Sequence, residues 1–264
     1  MPTRRTQPAV LVALLAAALL AGCDRPTPTE VILTAGYRTA AAGSARLVLV
    51  DLITTPGSPG PVRLTGEGVV DFRRRASTMS LAGADPRRSL PDRLILAGDA
   101  EYQGWRAGVP AGRLPPGKRW MRLALDSRAG GPMSGPAPLT TTPLRALQLL
   151  GGITAGAEAV GTEQVRGVST THYRGSLNVA AAVRIAGARR ADLKRMADRL
   201  LVRTLPADVW IDREGLVRRM RYGLATRPPH GSKPTLLKVN LELYDFGTPV
   251  DAIPPPAGVV VEAT

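Results

Sequence analysis

Reactive side chains are scarce in this chain of 264 residues. It contains one cysteine and two histidines, and aromatic residues make up only 4% of the sequence. A single cysteine excludes an internal disulfide bond. The two histidines, His172 and His230, have no ligand partner at a usable spacing, which argues against a metal site. The scarcity of aromatic side chains argues against the stacking surfaces that bind single-stranded nucleic acid.

Catalytic signatures are missing as well. The sequence has no G-x-S-x-G element, and its glycine-rich stretch GGITAGAEAVG lacks the lysine of a phosphate-binding loop. Carboxylate pairs such as Glu67 with Asp71 have the spacing of a solvated strand face. Alternation over a predicted strand at 163–179 places His172 on the polar face, where we expect it to point to solvent. The sequence therefore predicts a protein that is not an enzyme and has no cofactor.

The first 22 residues have the pattern of a secretory signal peptide. Two arginines precede an apolar run at 9–22, which is shorter than the roughly 20 residues that span a bilayer. The run ends in Leu-Ala-Gly-Cys, which resembles the lipobox of bacterial lipoproteins. In those proteins a diacylglycerol is attached to the cysteine thiol, and the signal is cut before that cysteine. The resemblance implies that acylated Cys23 anchors the chain to a membrane, with 23–30 as its tether.

The charge of the chain has one dominant sign. Lysine and arginine number 35 against 21 acidic residues, a formal net charge of +14, and removal of the two arginines in the signal leaves +12. A nucleic-acid partner would need a recognisable reading element, which the sequence lacks. Attraction to anionic lipid headgroups is one interpretation of this excess. A solvated, arginine-rich surface is the other.

Period-two alternation dominates the rest of the chain. In VRLTGEGVVDFRRR at 62–75 and TLLKVNLELYDFG at 235–247, apolar and polar side chains alternate, which is typical of strands with one buried face. The tetrad at 212–215 predicts a tight hairpin turn, and Arg218 interrupts the apolar row that follows it, so we expect Arg218 at a rim or at a bulge. A last edge strand is predicted at 258–262. About ten antiparallel strands in series should curl into a trough.

Two segments have helical spacing. At 142–150, Thr142 is a candidate N-cap before a leucine-rich turn, and at 187–204 one apolar stripe follows a basic helix. The predicted fold is therefore α+β, a strongly curved antiparallel sheet whose buried face is covered by two amphipathic helices, in a single domain at 31–264. Two helices can leave an apolar groove over such a sheet. A well-packed core without a cavity stays open as the alternative.

Three phrases of the sequence resemble a known family. They are GEGVVDFRRRASTMSL, GTEQVRGVSTTHYRGSL, and LPADVWIDREGLVRRMRY with the later DFGTPV. These resemble the LolA-like superfamily of bacterial lipoproteins, in particular the actinobacterial LppX/LprAFG lipoproteins. The resemblance implies a half-open β-barrel with a helical lid, whose apolar cavity holds a lipid or a lipidated ligand. Residues expected to line that cavity are Phe72, Met79, Leu81, Leu123, Leu177, Leu193, Met196, Leu200, Ile211, Met220, Val239 and Leu241.

The sequence and the resemblance together predict a monomeric lipoprotein that binds or carries a lipid. Acylated Cys23 would hold it outside the cytoplasm, at the outer leaflet of the cell membrane. No nucleic-acid partner is expected. The alternative is an envelope sensor or protein-interaction module that uses the same sheet without catalysis.

Overall fold

The computed structural model describes residues 25–57, 59–83, 91–105, 114–124, 143–187, 190–226 and 233–263. The described part of the chain contains twelve strands. In chain order they are β1 Ser44–Thr54, β2 Val62–Asp71, β3 Ala76–Gly83, β4 Arg93–Ala97, β5 Ala100–Gly104, β6 Trp120–Ala124, β7 Glu158–Val165, β8 Val168–Asn178, β9 Thr204–Asp212, β10 Val217–Thr226, β11 Thr235–Tyr244 and β12 Val260–Glu262.

All twelve strands form one sheet, in the spatial order β12-β6-β5-β4-β3-β2-β1-β11-β10-β9-β8-β7. Neighbouring strands are antiparallel, as the short connections predicted, except that β12 runs parallel to β6. Strand β12 lies within the predicted edge strand at 258–262. At the centre of the sheet, β1 pairs with β2 on one side and with β11 on the other.

Four α-helices lie in the described part of the chain, where the sequence predicted two. They are α1 Pro28–Ala41, α2 Pro143–Leu150, α3 Val179–Ile185 and α4 Arg190–Arg199, with a short 3-10 helix at Ala257–Val259. Helix α2 matches the segment predicted at 142–150, although Thr142 lies outside the described residues. Helix α4 lies within 187–204. None of the described helices is long and apolar enough to cross a membrane.

The two unpredicted helices begin at side-chain caps. The Thr27 hydroxyl accepts a hydrogen bond from the Glu30 N–H, the Glu30 carboxylate accepts one from the Thr27 N–H, and Pro28 occupies the first turn of α1. This is a capping box. Helix α1 therefore begins inside the segment that the sequence assigned to the tether. Helix α3 follows β8 directly, and its cap is Asn178, whose Oδ1 accepts from the Ala181 N–H at 2.8 Å.

Turn chemistry explains the hairpins of the C-terminal part. The predicted turn at 212–215 is confirmed, because Gly215 has a φ of 78° and Asp212 Oδ1 accepts from the Glu214 and Leu216 N–H groups. Of the two expectations for Arg218, a rim or a bulge, the structure has the bulge, as a register shift between positions 217 and 219. The single strand predicted at 163–179 is wrong. The chain reverses at 166–167, where both residues have positive φ, and forms the β7–β8 hairpin.

Alternation along the strands divides the sheet into two faces. We call the face that carries Leu47, Leu49 and Leu241 the inner face, and the opposite face the outer face. On β1, side chains at odd positions from 45 to 53 are buried, while those at even positions are half-buried or exposed. Inner-face side chains of β1, β2, β3 and β8–β11 belong to one buried apolar cluster with side chains of all four helices. The core thus lies between the inner face and the helices.

Leu241 tests this division of faces. It is 1% exposed and lies between Leu49 on β1 and Met220 on β10. We expect Leu241→Asp to lower the free energy of unfolding by about 4 kcal/mol or more, because an unpaired carboxylate would enter an apolar layer. Urea unfolding followed by circular dichroism measures the change. The matched control is Asn240→Asp, on the outer face beside Arg221, which should change stability by less than about 1 kcal/mol. Equal effects of the two substitutions would contradict the assignment.

Candidate functional site

The residues predicted to line a cavity occupy the inner face and its helical cover. Ten of the twelve are members of the main buried cluster: Phe72, Met79, Leu81, Leu177, Leu193, Leu200, Ile211, Met220, Val239 and Leu241. Met196 is partly buried against the same cluster. Leu123 lies apart from it, in a smaller cluster around Trp105 and Met121 near the β12 edge. Cys23, the predicted lipidation site, lies outside the described residues.

A small cavity lies between the helices and the end of β2. It has a volume of about 80 Å³, and we call it the helix cavity. Of the twelve predicted residues, only Phe72 lines it. The remainder of its wall comes from α1, α2, α3 and the residues that follow them, which are Leu33, Gly36, Tyr37, Ala40, Leu144, Leu147, Gln148, Gly151, Ile185 and Ala186.

The lining of the helix cavity is apolar, with one buried acceptor. Gln148 Oε1 is inaccessible to solvent and has no hydrogen-bond partner among the described residues. Two large apolar side chains of the lining are exposed, because Tyr37 retains 62% and Ile185 50% of its accessible surface. An apolar lining with few polar groups is typical of small-molecule sites. The sequence did not indicate this cavity, since half of its wall belongs to the two unpredicted helices.

A carboxyl group lies in the middle of the inner face. Asp51 is fully buried, and neither of its side-chain oxygens has a hydrogen-bond partner among the described residues. Its cross-strand neighbours on β2 and β11 are Leu64 and Val239. Burial disfavours the charged carboxylate and raises the pKa of Asp51 to about 7. The pattern missed this group, because Asp51 sits within the continuous apolar run ARLVLVDLI.

His172 lies on the outer face as predicted, but the expectation that it points to solvent is wrong. The residue is only 6% exposed, since its ring stacks on Trp210 with centroids 4.2 Å apart and planes 10° apart. Nδ1 lies 2.9 Å from Glu163 Oε1, and Nε2 lies 2.8 Å from Asp208 Oδ1. Trp210 is the direct cross-strand partner of His172, and the unpredicted β7–β8 hairpin brings Glu163 alongside.

We call His172, Trp210, Glu163 and Asp208 the histidine cluster, and their contacts indicate a structural role. Carboxylates occupy both ring nitrogens of His172, so neither is available to take a proton from a nucleophile. The Trp210 indole N–H donates to Glu163 Oε2 at 2.9 Å. That hydrogen bond lowers the pKa of Glu163, and the neighbouring His172 contributes further. Among the described residues, no group of three or more potential metal ligands comes together.

The buried carboxyl makes stability depend on pH. Because the pKa of Asp51 is about 7 in the folded protein and near 4 in an unfolded chain, the folded state binds this proton more tightly. The contribution of Asp51 to the free energy of unfolding is therefore greatest below about pH 4, and it falls as the pH rises towards 7. We expect Asp51→Asn to remove this fall and to stabilise the protein by about 4 kcal/mol at about pH 8, with little change at about pH 4.

Urea unfolding across this range measures the effect. The exposed carboxyl of Asp245, which pairs with Arg46 at 3.7 Å, provides the control. Asp245→Asn should keep the slope of the parent protein between about pH 4 and 7. An Asp51→Asn variant with that same slope would contradict the burial of a titrating group at this position.

Comparisons with known proteins rest on structure alone, since no protein-family model and no curated protein matches the chain. The lipoprotein LppX of Mycobacterium tuberculosis is similar over 84% of this chain and 98% of its own, with 18% identity and a TM-score of 0.47. LprF of Mycobacterium bovis is similar over 88% and 98%, with 12% identity and a TM-score of 0.42. A LolA superfamily protein of Nitrosomonas europaea is similar over 84% and 93%, with 8% identity and a TM-score of 0.30. The chain is thus similar to lipoproteins and LolA-superfamily proteins, the group that its sequence phrases resemble.

Proposed function

We propose that this protein is a membrane-anchored lipoprotein that binds a lipid between the inner face of its sheet and its helices. The observation that supports the proposal is the helix cavity, an apolar space over the end of β2 with Tyr37 and Ile185 exposed beside it. Exposed apolar side chains beside an apolar cavity lower the cost of transferring a chain from a membrane to the interior. The buried acceptor Gln148 Oε1 would receive a hydrogen bond from a hydroxyl or amide of the ligand.

The helix cavity must widen to hold a whole acyl chain. Its volume of about 80 Å³ is roughly half that of an engineered apolar cavity that binds benzene. The backbone of Gly152 packs closely against the start of α3, whereas the neighbouring Gly151 contacts the flexible side chain of Ile185. Movement of the Ile185 side chain away from Gly151 would widen the cavity and leave the contact at Gly152 in place. Widening would expose the predicted lining residues of the inner wall, Phe72 first. Contacts to the methylenes of the ligand would then replace contacts among the helices. Each Å² of apolar surface removed from water would contribute about 25 cal/mol to the binding free energy.

The anchor and the ligand site would act together. Two acyl chains on Cys23 would hold the folded domain close to the outer leaflet of the membrane, as a monomer. Helix α1 begins at Pro28, so about four residues would separate the anchor from the first turn. The helix that carries Tyr37 would therefore stay near the membrane surface from which a lipid would enter. Basic side chains of the chain would favour an anionic surface.

Filling the helix cavity should reduce lipid binding. Ala40 lines the cavity from α1, whereas Thr34 is on the exposed side of the same helix. We expect Ala40→Trp to lower the amount of lipid that copurifies with the protein at least about fivefold, while Thr34→Trp retains the amount found in the parent. Native mass spectrometry measures the bound lipid, and circular dichroism verifies folding. A parent protein without lipid, or equal loss in both variants, would argue against this site and favour the protein-interaction alternative.

Removing the thiol should release the protein from the membrane. In Cys23→Ala the acyl acceptor is lost, and Ala21-Gly22 followed by alanine offers an ordinary signal-cleavage sequence. We therefore expect the variant in the soluble exported fraction and the parent in the membrane fraction, as measured by immunoblotting. Cys23→Ser is the isosteric control and should behave as the alanine variant does. Retention of both variants in the membrane would overturn the anchor assignment.

A further inference from the structure

The outer face of the sheet contains a second and larger cavity, which is open to solvent. It has a volume of about 440 Å³, and we call it the outer groove. Two adjacent cross-strand rows form it. One row runs from Leu52 on β1 through Lys238 and Gly223 to Pro206, and the other runs from Val50 through Asn240 and Arg221 to Asp208. The groove therefore crosses β1, β11, β10 and β9, over about 14 Å at the usual spacing of strands.

Gly223 opens the middle of the groove. A Cβ atom at this position would meet only the carbonyl oxygen of Leu237, at 3.9 Å, so the space above the backbone is empty. Pro206 on β9 lies beside this gap. Leu52 and Val50 on β1 lie on the far side of β11 and add apolar surface to the groove. Lys238 on β11 is the cross-strand partner of Gly223, and Arg221 lies two residues before Gly223 on the same face of β10. The groove thus combines apolar side chains with two cations that lie next to the gap.

The positive charge beside the floor is not neutralised by neighbouring carboxylates. Lys238 has no ion pair or hydrogen bond among the described residues, and Arg221 donates only to the Asn240 amide oxygen, at 3.1 Å, while lying over Trp210. Asp208 is the one carboxylate in the described lining, and His172 and Arg174 already hold it, at 2.8 and 3.3 Å. The groove therefore suits an occupant with an apolar part and a negative charge.

A peptide would gain little from this surface. An extended peptide binds a sheet by pairing with a free strand edge. The four strands under the groove lie inside the sheet, where each is already paired on both sides. An occupant of the groove therefore cannot pair its backbone with these strands. This favours a lipid, which binds through its acyl chain and headgroup, over an extended peptide.

We propose that the outer groove binds a single-chain anionic lipid of the fatty-acid class. The acyl chain would lie on the floor at Gly223, and the carboxylate would contact Lys238 and Arg221. A volume of about 440 Å³ is in the range of sites for one small ligand. The site is on the opposite face of the sheet from the helix cavity, so this proposal does not depend on the proposed function.

Titration with dodecanoate below its micelle concentration tests the proposal. The material is the released Cys23→Ala protein, and amide chemical shifts report the affinity and the face that binds. We expect Gly223→Phe to weaken dodecanoate at the outer face about tenfold or more, because the new ring fills the floor. The matched control is Gly161→Phe, at another position of the outer face, where a Cβ atom would meet nothing within 4 Å. It should alter the affinity less than about twofold.

A second pair of variants tests the role of the positive charge of Lys238. Lys238→Glu should weaken dodecanoate about fivefold or more, whereas Lys194→Glu makes the same change in net charge on α4 and should have little effect. The uncharged detergent dodecyl maltoside should bind more weakly than dodecanoate. Binding of Ala40→Trp to dodecanoate at the outer face should equal that of the parent, which separates this site from the helix cavity.

Three results would overturn the proposal. The first is dodecanoate binding that Gly223→Phe leaves unchanged. The second is equal affinity of the parent for dodecanoate and dodecyl maltoside. The third is binding to vesicles of phosphatidylcholine and phosphatidylglycerol without any binding of dodecanoate, since this would make the outer face a membrane-docking surface.

Discussion

The pairing of β1 with β11 is the constraint on which the rest of the molecule depends. The two strands are aligned from Arg46 opposite Tyr244 to Thr54 opposite Leu236, although about 190 residues separate them in the sequence. This ladder joins the strands that extend to β12 on one side with those that extend to β7 on the other. Because side chains alternate between faces, the register at this junction fixes which side chains each half contributes to each face. A slip of one residue would turn every apolar side chain of a strand outwards.

The same ladder produces two faces with different chemistry. On the inner face, apolar rows such as Leu49, Leu241 and Met220 meet the helices, and Asp51 is the exception among them. On the outer face, charged side chains pair across strands. Arg166 and Arg219 both contact Glu242, for example. Lys238 and Arg221, which lie beside Gly223, have no such carboxylate partner among the described residues.

Helices and cavities depend on which elements meet, and this limited what the pattern could predict. The sequence pattern did not predict helix α1, because its capping box, Thr27 with Glu30, lies in a short stretch rich in proline and threonine. The helix cavity could then not be located, since α1 forms one of its walls. Strand alternation was more informative. It placed Val239 and Leu241 on the buried face and predicted an irregularity at Arg218, a rim or a bulge, because both depend only on residues adjacent in the chain.

The histidine cluster shows the same limit in one residue. Parity assigned His172 to the polar face correctly, and it gave no indication that Trp210 and Asp208, on another strand, would cover it. A polar face is exposed only where no large side chain lies opposite. That condition involves residues about 40 positions away and the register between their strands.

The sequence by itself determined the alternating strands and the hairpin turn at Asp212–Gly215, and it has its one cysteine directly after a short apolar run. Each of these depends on local chemistry, either a period of two, a glycine with positive φ or a short contiguous run. Only the tertiary structure decided the order of the strands, the burial of His172 and Asp51, and the gap at Gly223 beside Lys238. These features arise from pairings between distant segments, and the chain pattern specifies the face of a side chain without specifying its neighbour.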